Sequence, residues 1–204
     1  MQLTPKELRE RWLTAQGEKL KKEVVCSILA DRSWVEPLAQ LPGAEEVENN
    51  ADLRGIKISR ISLPAADFSY AVLDYACFDE CDLPTSDFQF GSIREVSFVK
   101  SNLTLAHFWR VRGIGASFDE ADLYRARIIE SDLRSTSFCF THLRRAKLAH
   151  SNFERSVFEE ADLRQADLYD CNFRHTNLSK ADLQGAELDQ ADFTDALLDG
   201  TIGL

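Results

Sequence analysis

Residues 161–183 read ADLRQADLYDCNFRHTNLSKADL, and Leu163, Leu168, Phe173, Leu178 and Leu183 fall five positions apart. The spacing runs back to Leu53 and forward to Leu198, with an apolar residue at every fifth position except Gly113. A period of five fits neither a helix, at about 3.6 residues per turn, nor a strand, at about two. The chain from residue 51 onward is therefore an array of short repeats.

Two residues before each of these positions stands a small side chain, as at Ala66, Ala71, Cys81, Ser101, Ala121, Ala161 and Cys171. The position between is often Asp or Asn, as in Ala51-Asp52-Leu53, Ala121-Asp122-Leu123 and Ala181-Asp182-Leu183. This A-(D/N)-(L/F)-x-x pattern resembles the pentapeptide-repeat family over about three quarters of the chain. The resemblance implies an all-β solenoid, a right-handed quadrilateral parallel β-helix. Each pentapeptide would form one side, the large and small residues would point inward, and the other three would face solvent.

Residue type also repeats at twenty. Leu63, Leu83, Leu103, Leu123, Leu143, Leu163 and Leu183 share one side, while Phe78, Phe98, Phe118, Phe138 and Phe158 share another. Four sides per coil give about 7.5 coils and, at about 4.8 Å per coil, a rod about 36 Å long. Gly113, the break in the series, is expected to leave a kink or small pocket into which Ile114 turns.

Residues 1–50 lack the repeat and are expected to form a small α-helical N-terminal cap on the β-helix of residues 51–204, because an open solenoid end exposes apolar side chains and unpaired backbone. An independent partner-binding module is the alternative. Thr4-Pro5-Lys6-Glu7 combines an N-cap, Pro at the first helical position and a capping box, with Leu3 and Leu8 placed for a hydrophobic staple. That helix is expected to stop near Gly17. Leu20, Val24 and Ile28 mark the face of a second helix, and Trp34, Leu38 and Leu41 suggest a third segment before Pro42-Gly43. After Leu198 too few residues remain for a covering helix, so the last coil is expected to be open, closed by the folded-back tail or by a second copy as a homodimer.

No apolar run approaches the roughly 20 residues of a membrane span, and Met1-Gln2-Leu3 opens no signal peptide. With five scattered cysteines, this points to a cytoplasmic protein with no membrane partner. The net charge of −10 is unevenly spread. Residues 91–150 hold ten Lys or Arg against six Asp or Glu, whereas residues 151–204 hold four against twelve.

Function, where there is one, belongs to the outward positions. On the Leu53 side, Arg54, Asp74, Arg94, Arg134, Glu154 and Arg174 bring opposite charges into an expected structural ladder, interrupted by Ile114. Tyr70, Phe90, Trp109, Ile129 and Tyr169, with Ala149 between, form a candidate interaction stripe unless the N-terminal segment folds over it. A candidate basic patch, Arg110, Arg112, Arg125, Arg127, Arg144, Arg145, Lys147 and Arg164 with Tyr124, flanks the stripe and suits an acidic protein better than nucleic acid, given the net charge. Asp182, Glu187, Asp189, Asp192, Asp195 and Asp199 make a candidate acidic end.

No catalytic residue, metal site or cofactor is expected. His107, His142, His150 and His175 are isolated, and the abundant carboxylates come from the repeat itself. The expectation is a non-catalytic protein-interaction solenoid. From the resemblance comes an alternative, a dimeric acidic rod that mimics duplex DNA and occupies a type II topoisomerase such as gyrase, as quinolone-protection proteins do. A structural rod whose partner binds the helices is a third possibility.

Overall fold

In the computed structural model, which describes residues 3–29 and 52–204, the large inward residues other than Ile58 and Ile128 each begin a tight turn. Typical closures are Ile56 N–H to the Leu53 carbonyl at 3.0 Å and Ala126 N–H to the Leu123 carbonyl at 3.0 Å. The second turn residue is left-handed at every fifth position from Gly55 to Gly200, as type II turns require. Glycine fills few of these places. Arg60 (φ 59°), Phe90 (φ 58°) and Arg125 (φ 57°) occupy others, at about 1–2 kcal/mol each for a side-chain-bearing residue. The backbone ladder between coils offsets that strain.

The ladder is parallel and its register is twenty. Ser62 pairs with Asp82, Asp82 with Asn102 and Asn102 with Asp122, so four pentapeptides complete one coil. Each contributes one bridged residue, with bonds such as Leu63 N–H to Asp82 C=O at 2.7 Å. The seven-leucine column from Leu63 to Leu183 is fully buried. Beside it the phenylalanines stack: Phe98 on Phe118 at 5.1 Å, Phe118 on Phe138 at 5.0 Å, and Phe138 on Phe158 at 4.6 Å. Inward serines and threonines other than Thr176, which bonds Phe173 C=O in its own coil, donate to carbonyls of the preceding coil, as Ser101 Oγ does to Phe78 at 2.6 Å and Ser151 Oγ to Ile128 at 2.8 Å. No buried hydroxyl among these is left without an acceptor.

Gly113 corrects an expectation. The register runs through it unbroken, with Gly113 N–H bonded to Asp132 C=O at 2.8 Å, and Ile114 stays exposed. A Cβ at Gly113 would lie 2.5 Å from Leu133 Cδ2 and 2.9 Å from Ile93 Cγ1. The side chains above and below have closed the space, so there is neither a kink nor a pocket.

The N-terminal segment forms α1 (Pro5–Glu10), a 3₁₀ turn (Arg11–Leu13) and α2 (Ala15–Leu29). The capping box forms: Glu7 N–H reaches Thr4 Oγ1 at 3.3 Å, and Thr4 N–H reaches Glu7 Oε2 at 2.8 Å. Gly17 does not end a helix. It sits in the first turn of α2, its N–H bonded to Thr14 Oγ1 at 3.0 Å. A Cβ there would meet the Arg11 carbonyl and Trp12 backbone, so glycine permits a close crossing where the sequence suggests a stop. The break lies at Thr14, whose extended backbone separates the two helices.

These helices pack on the first coil. Trp12, Leu20 and Val24 join the core of the rod, and Trp12 Nε1 donates to the Arg54 carbonyl at 2.8 Å. Arg11 and Asp52, both side chains only 3% exposed, form a forked pair with Nη2 to Oδ1 at 2.9 Å and Nη1 to Oδ2 at 3.1 Å. The expected segment around Trp34, Leu38 and Leu41, and the boundary at residue 50, lie outside the described residues. Among those described, no helix is long and apolar enough to cross a membrane. At the other end Leu197, Leu198, Ile202 and Leu204 are exposed, and Leu188 and Phe193 only partly buried.

Candidate interaction face

The turn residues after Phe68, Phe88, Phe108 and Ile128 project from one corner of the rod. Because the coils are in register, their side chains meet. Tyr70 stacks on Phe90 at 4.9 Å and 14°, Phe90 tilts against Trp109 at 5.0 Å, and the Arg110 guanidinium lies 4.7 Å over the Trp109 ring. Tyr70 is 53% exposed, so the described helices do not cover it. Ile129 continues the column. Tyr169 stands apart beyond the buried Ala149, edge-on to His150 at 5.3 Å, its hydroxyl accepting from Gln190 Nε2 at 2.8 Å. The stripe is thus a cluster of four residues and an outlier.

Beside the cluster runs the bridged column of the same side, in which Asp87 pairs with His107, His107 with Arg127, Arg127 with Lys147 and Lys147 with Asp167. Between column and corner lies a depression of about 420 Å³ lined by Gln89, His107, Trp109, Arg127, Ile129 and Glu130. Gln89 is held by Asp87 through its Nε2 at 2.7 Å. Glu130 is bound by Arg110 at 2.7 Å, and that hydrogen bond, helped by one from Trp109, holds its carboxyl below the usual range. The free charge facing the depression is therefore positive.

The candidate basic patch separates into two kinds of residue. Arg125, Arg127, Arg144, Arg145 and Lys147 gather on this side and its far corner, and no carboxylate among the described residues pairs with them. Arg125 lies 5.3 Å over Tyr124, and Arg145 Nε donates to Gln165 at 2.8 Å. Arg110 is taken by Glu130, and Arg164 by Asp162 and, at 3.6 Å, Asp182. Arg112 belongs to the next side, bridged to Asp132. The expected ladder on the Leu53 side is replaced too: Arg134 turns back to Asp132 at 2.7 Å. Pairs one coil apart form instead at the second turn position, as between Arg60 and Glu80 at 3.0 Å and Lys100 and Glu120 at 3.5 Å.

The acidic residues encircle the last coil rather than forming one surface. Several are matched, Arg174 with Asp192 at 3.6 Å and His175 with Asp195 at 3.6 Å. Sequence reasoning missed His107 and Gln89 as groove residues and the exposed Leu105 one coil below Arg125. Positions counted by twenty from Arg127 and Arg125 would have found all but Gln89. The buried Cys171 thiol, its pKa pushed up to about 12 by burial, donates to the Leu148 carbonyl at 3.0 Å. Among the described residues no cluster of His, Cys, Asp or Glu is placed to hold a metal ion.

A family model, pentapeptide repeats, matches in eight copies over residues 49–83, 101–139, 131–174 and 166–202. The chain belongs to the pentapeptide-repeat family. The parallel β-helix of residues 52–204 agrees with that membership. Among solved pentapeptide-repeat structures, one from the Arabidopsis thaliana thylakoid lumen is 29% identical over 42% of this chain and 59% of its own, with a TM-score of 0.41. QnrB1, a plasmid-mediated fluoroquinolone resistance protein, is 18% identical over 75% of this chain and 76% of its own, with a TM-score of 0.42. HetL, involved in heterocyst differentiation regulation in the cyanobacterium Nostoc, is 24% identical over 75% and 88%, with a TM-score of 0.21. No curated protein matches the chain.

Proposed function

We propose that this pentapeptide-repeat protein is a non-catalytic, cytoplasmic interaction solenoid that binds another protein through the corner carrying Tyr70, Phe90, Trp109 and Ile129. The observation behind this is the contiguous aromatic cluster on a side where the repeat places polar residues elsewhere. Aromatic groups beside arginines are the usual anchors of protein interfaces. The helices of residues 3–29 act in this reading as the cap of the first coil. Photo-crosslinkers introduced at position 109, and separately at position 99 on the phenylalanine side, test it in cells. Capture of a defined protein from position 109 alone supports the reading, and equal or absent capture there overturns it.

The ring of acidic residues at the last coil favours a second reading, the duplex mimic of a type II topoisomerase substrate. A mimic needs closely spaced negative charge along its length, about one per 1.7 Å in DNA. Here the unpaired cations of the middle coils interrupt it. The expected result is no inhibition of gyrase supercoiling at micromolar protein. Inhibition abolished by neutralising Asp189, Asp192 and Asp195 would establish the mimic instead.

The exposed Leu198 and Ile202 make the last coil a proposed homodimer contact. Charged substitutions there should turn a dimer into a monomer by light scattering. Wild-type protein that is already monomeric at high concentration removes the contact.

A further inference from the structure

Elsewhere along the rod, cations face carboxylates one coil away, as in Arg60–Glu80, Lys100–Glu120 and Lys180–Glu160. The bridged column beside the depression does not follow this pattern. Arg127 is bridged directly to Lys147, and the Arg144–Arg145 turn lies beside them. Like charges in register about one coil apart, near 4.8 Å, repel and weaken the ladder. Carboxylates meet in the same way at Asp67–Asp87, Asp162–Asp182 and Asp167–Glu187, but among the described residues Arg127–Lys147 is the one bridge between two cations, and it concentrates positive charge beside the depression.

On the reading that this side is a protein-binding surface, we infer that its partner is an acidic amphipathic segment of another protein. The segment's apolar side chains enter the depression against Trp109 and Ile129, and its carboxylates meet Arg127, Lys147 and Arg144. Such a helix lying along the rod advances about 5.4 Å per turn against about 4.8 Å per coil, so successive turns meet successive coils. Nucleic acid fits less well. Single strands need open ring faces for base stacking, whereas here Tyr70 and Phe90 cover each other and Arg110 covers Trp109. Asp87 and Asp167 also bound the column, in which Arg127 and Lys147 are the fixed positive charges.

The test measures binding of a labelled synthetic helical peptide of about four turns, apolar at i, i+3, i+4 and i+7 with flanking glutamates, by fluorescence anisotropy. A lysine-flanked counterpart and a single-stranded oligonucleotide are the comparison probes. The glutamate peptide is expected to bind at least about tenfold more tightly than the lysine peptide, and less tightly as salt rises. Arg127→Glu with Arg144→Glu should weaken it at least about tenfold, while Arg155→Glu on another side leaves it unchanged. Equal binding of both peptides, lost together in Trp109→Ala, overturns the acidic preference but leaves the apolar interaction surface standing. Tighter binding of the oligonucleotide overturns the inference. If no peptide binds and position 109 captures nothing in cells, the interaction reading fails as well.

Discussion

Replacing Phe118 with Ala is expected to destabilise the β-helix by about 3–5 kcal/mol. The ring is fully buried, stacked on Phe98 and Phe138 and edge-on to Phe108 at 5.6 Å. Truncation removes these contacts together, and the rigid ladder above and below limits collapse into the cavity. Because each coil touches only its neighbours, the loss should be local. Amide protection near residues 98–138 should fall more than near residues 163–183. Phe140→Ala, at an outward position, should change stability by no more than about 0.5 kcal/mol. A loss below about 1 kcal/mol for Phe118→Ala would mean that the column is not packed as described.

The second large effect is expected where the N-terminal helices meet the first coil. Asp52→Ala leaves the Arg11 guanidinium buried without its carboxylate, and removing one partner of such a pair costs about 3–5 kcal/mol. Arg134→Ala, which breaks the more exposed pair with Asp132, should cost no more than about 1 kcal/mol. Acid should act on the same contact. Burial, the largest influence on Asp52, pushes its pKa up, but hydrogen bonds from Arg54 and Arg11 outweigh it and the net shift is downward. Stability from a depressed carboxylate is complete above its unfolded value of about 3.9 and is lost as pH falls through the folded value. The protection of the Leu20 and Val24 amides, taken relative to their intrinsic exchange at each pH, should therefore fall in acid in the wild type, and the Asp52→Asn variant should lack that step. Unchanged protection would place the docking energy elsewhere.

The fold was legible because a solenoid writes its geometry into a fixed period. Leu63 and Leu83 must be alike because they touch, and five and twenty are the repeats of side and coil. What stayed hidden depended on local backbone. Gly113 reads as a gap, yet Ile93 and Leu133 fill it from neighbouring coils. Gly17 reads as a stop but serves a close crossing. Which charges pair could not be read from the order of residues. The left-handed second turn position lines up Arg60 and Glu80 one coil apart, while the first lets Arg134 fold back to Asp132 within its own pentapeptide. Counting assigned the stripe and patch to outward positions, but ion pairing divided the patch and Ala149 isolated Tyr169.

In the proposed interaction, Tyr70 and Trp109 anchor the partner protein. Once that partner is captured from position 109, its affinity for a Tyr70→Ser, Trp109→Ser variant decides the matter most directly, with Phe140→Ser as the control for an exposed aromatic on another side. A loss of at least about 30-fold is expected for the double variant, the size of a typical interface hot spot, with less than about twofold for the control. Equal affinity for wild type and double variant, at unchanged stability, would rule out that anchoring role.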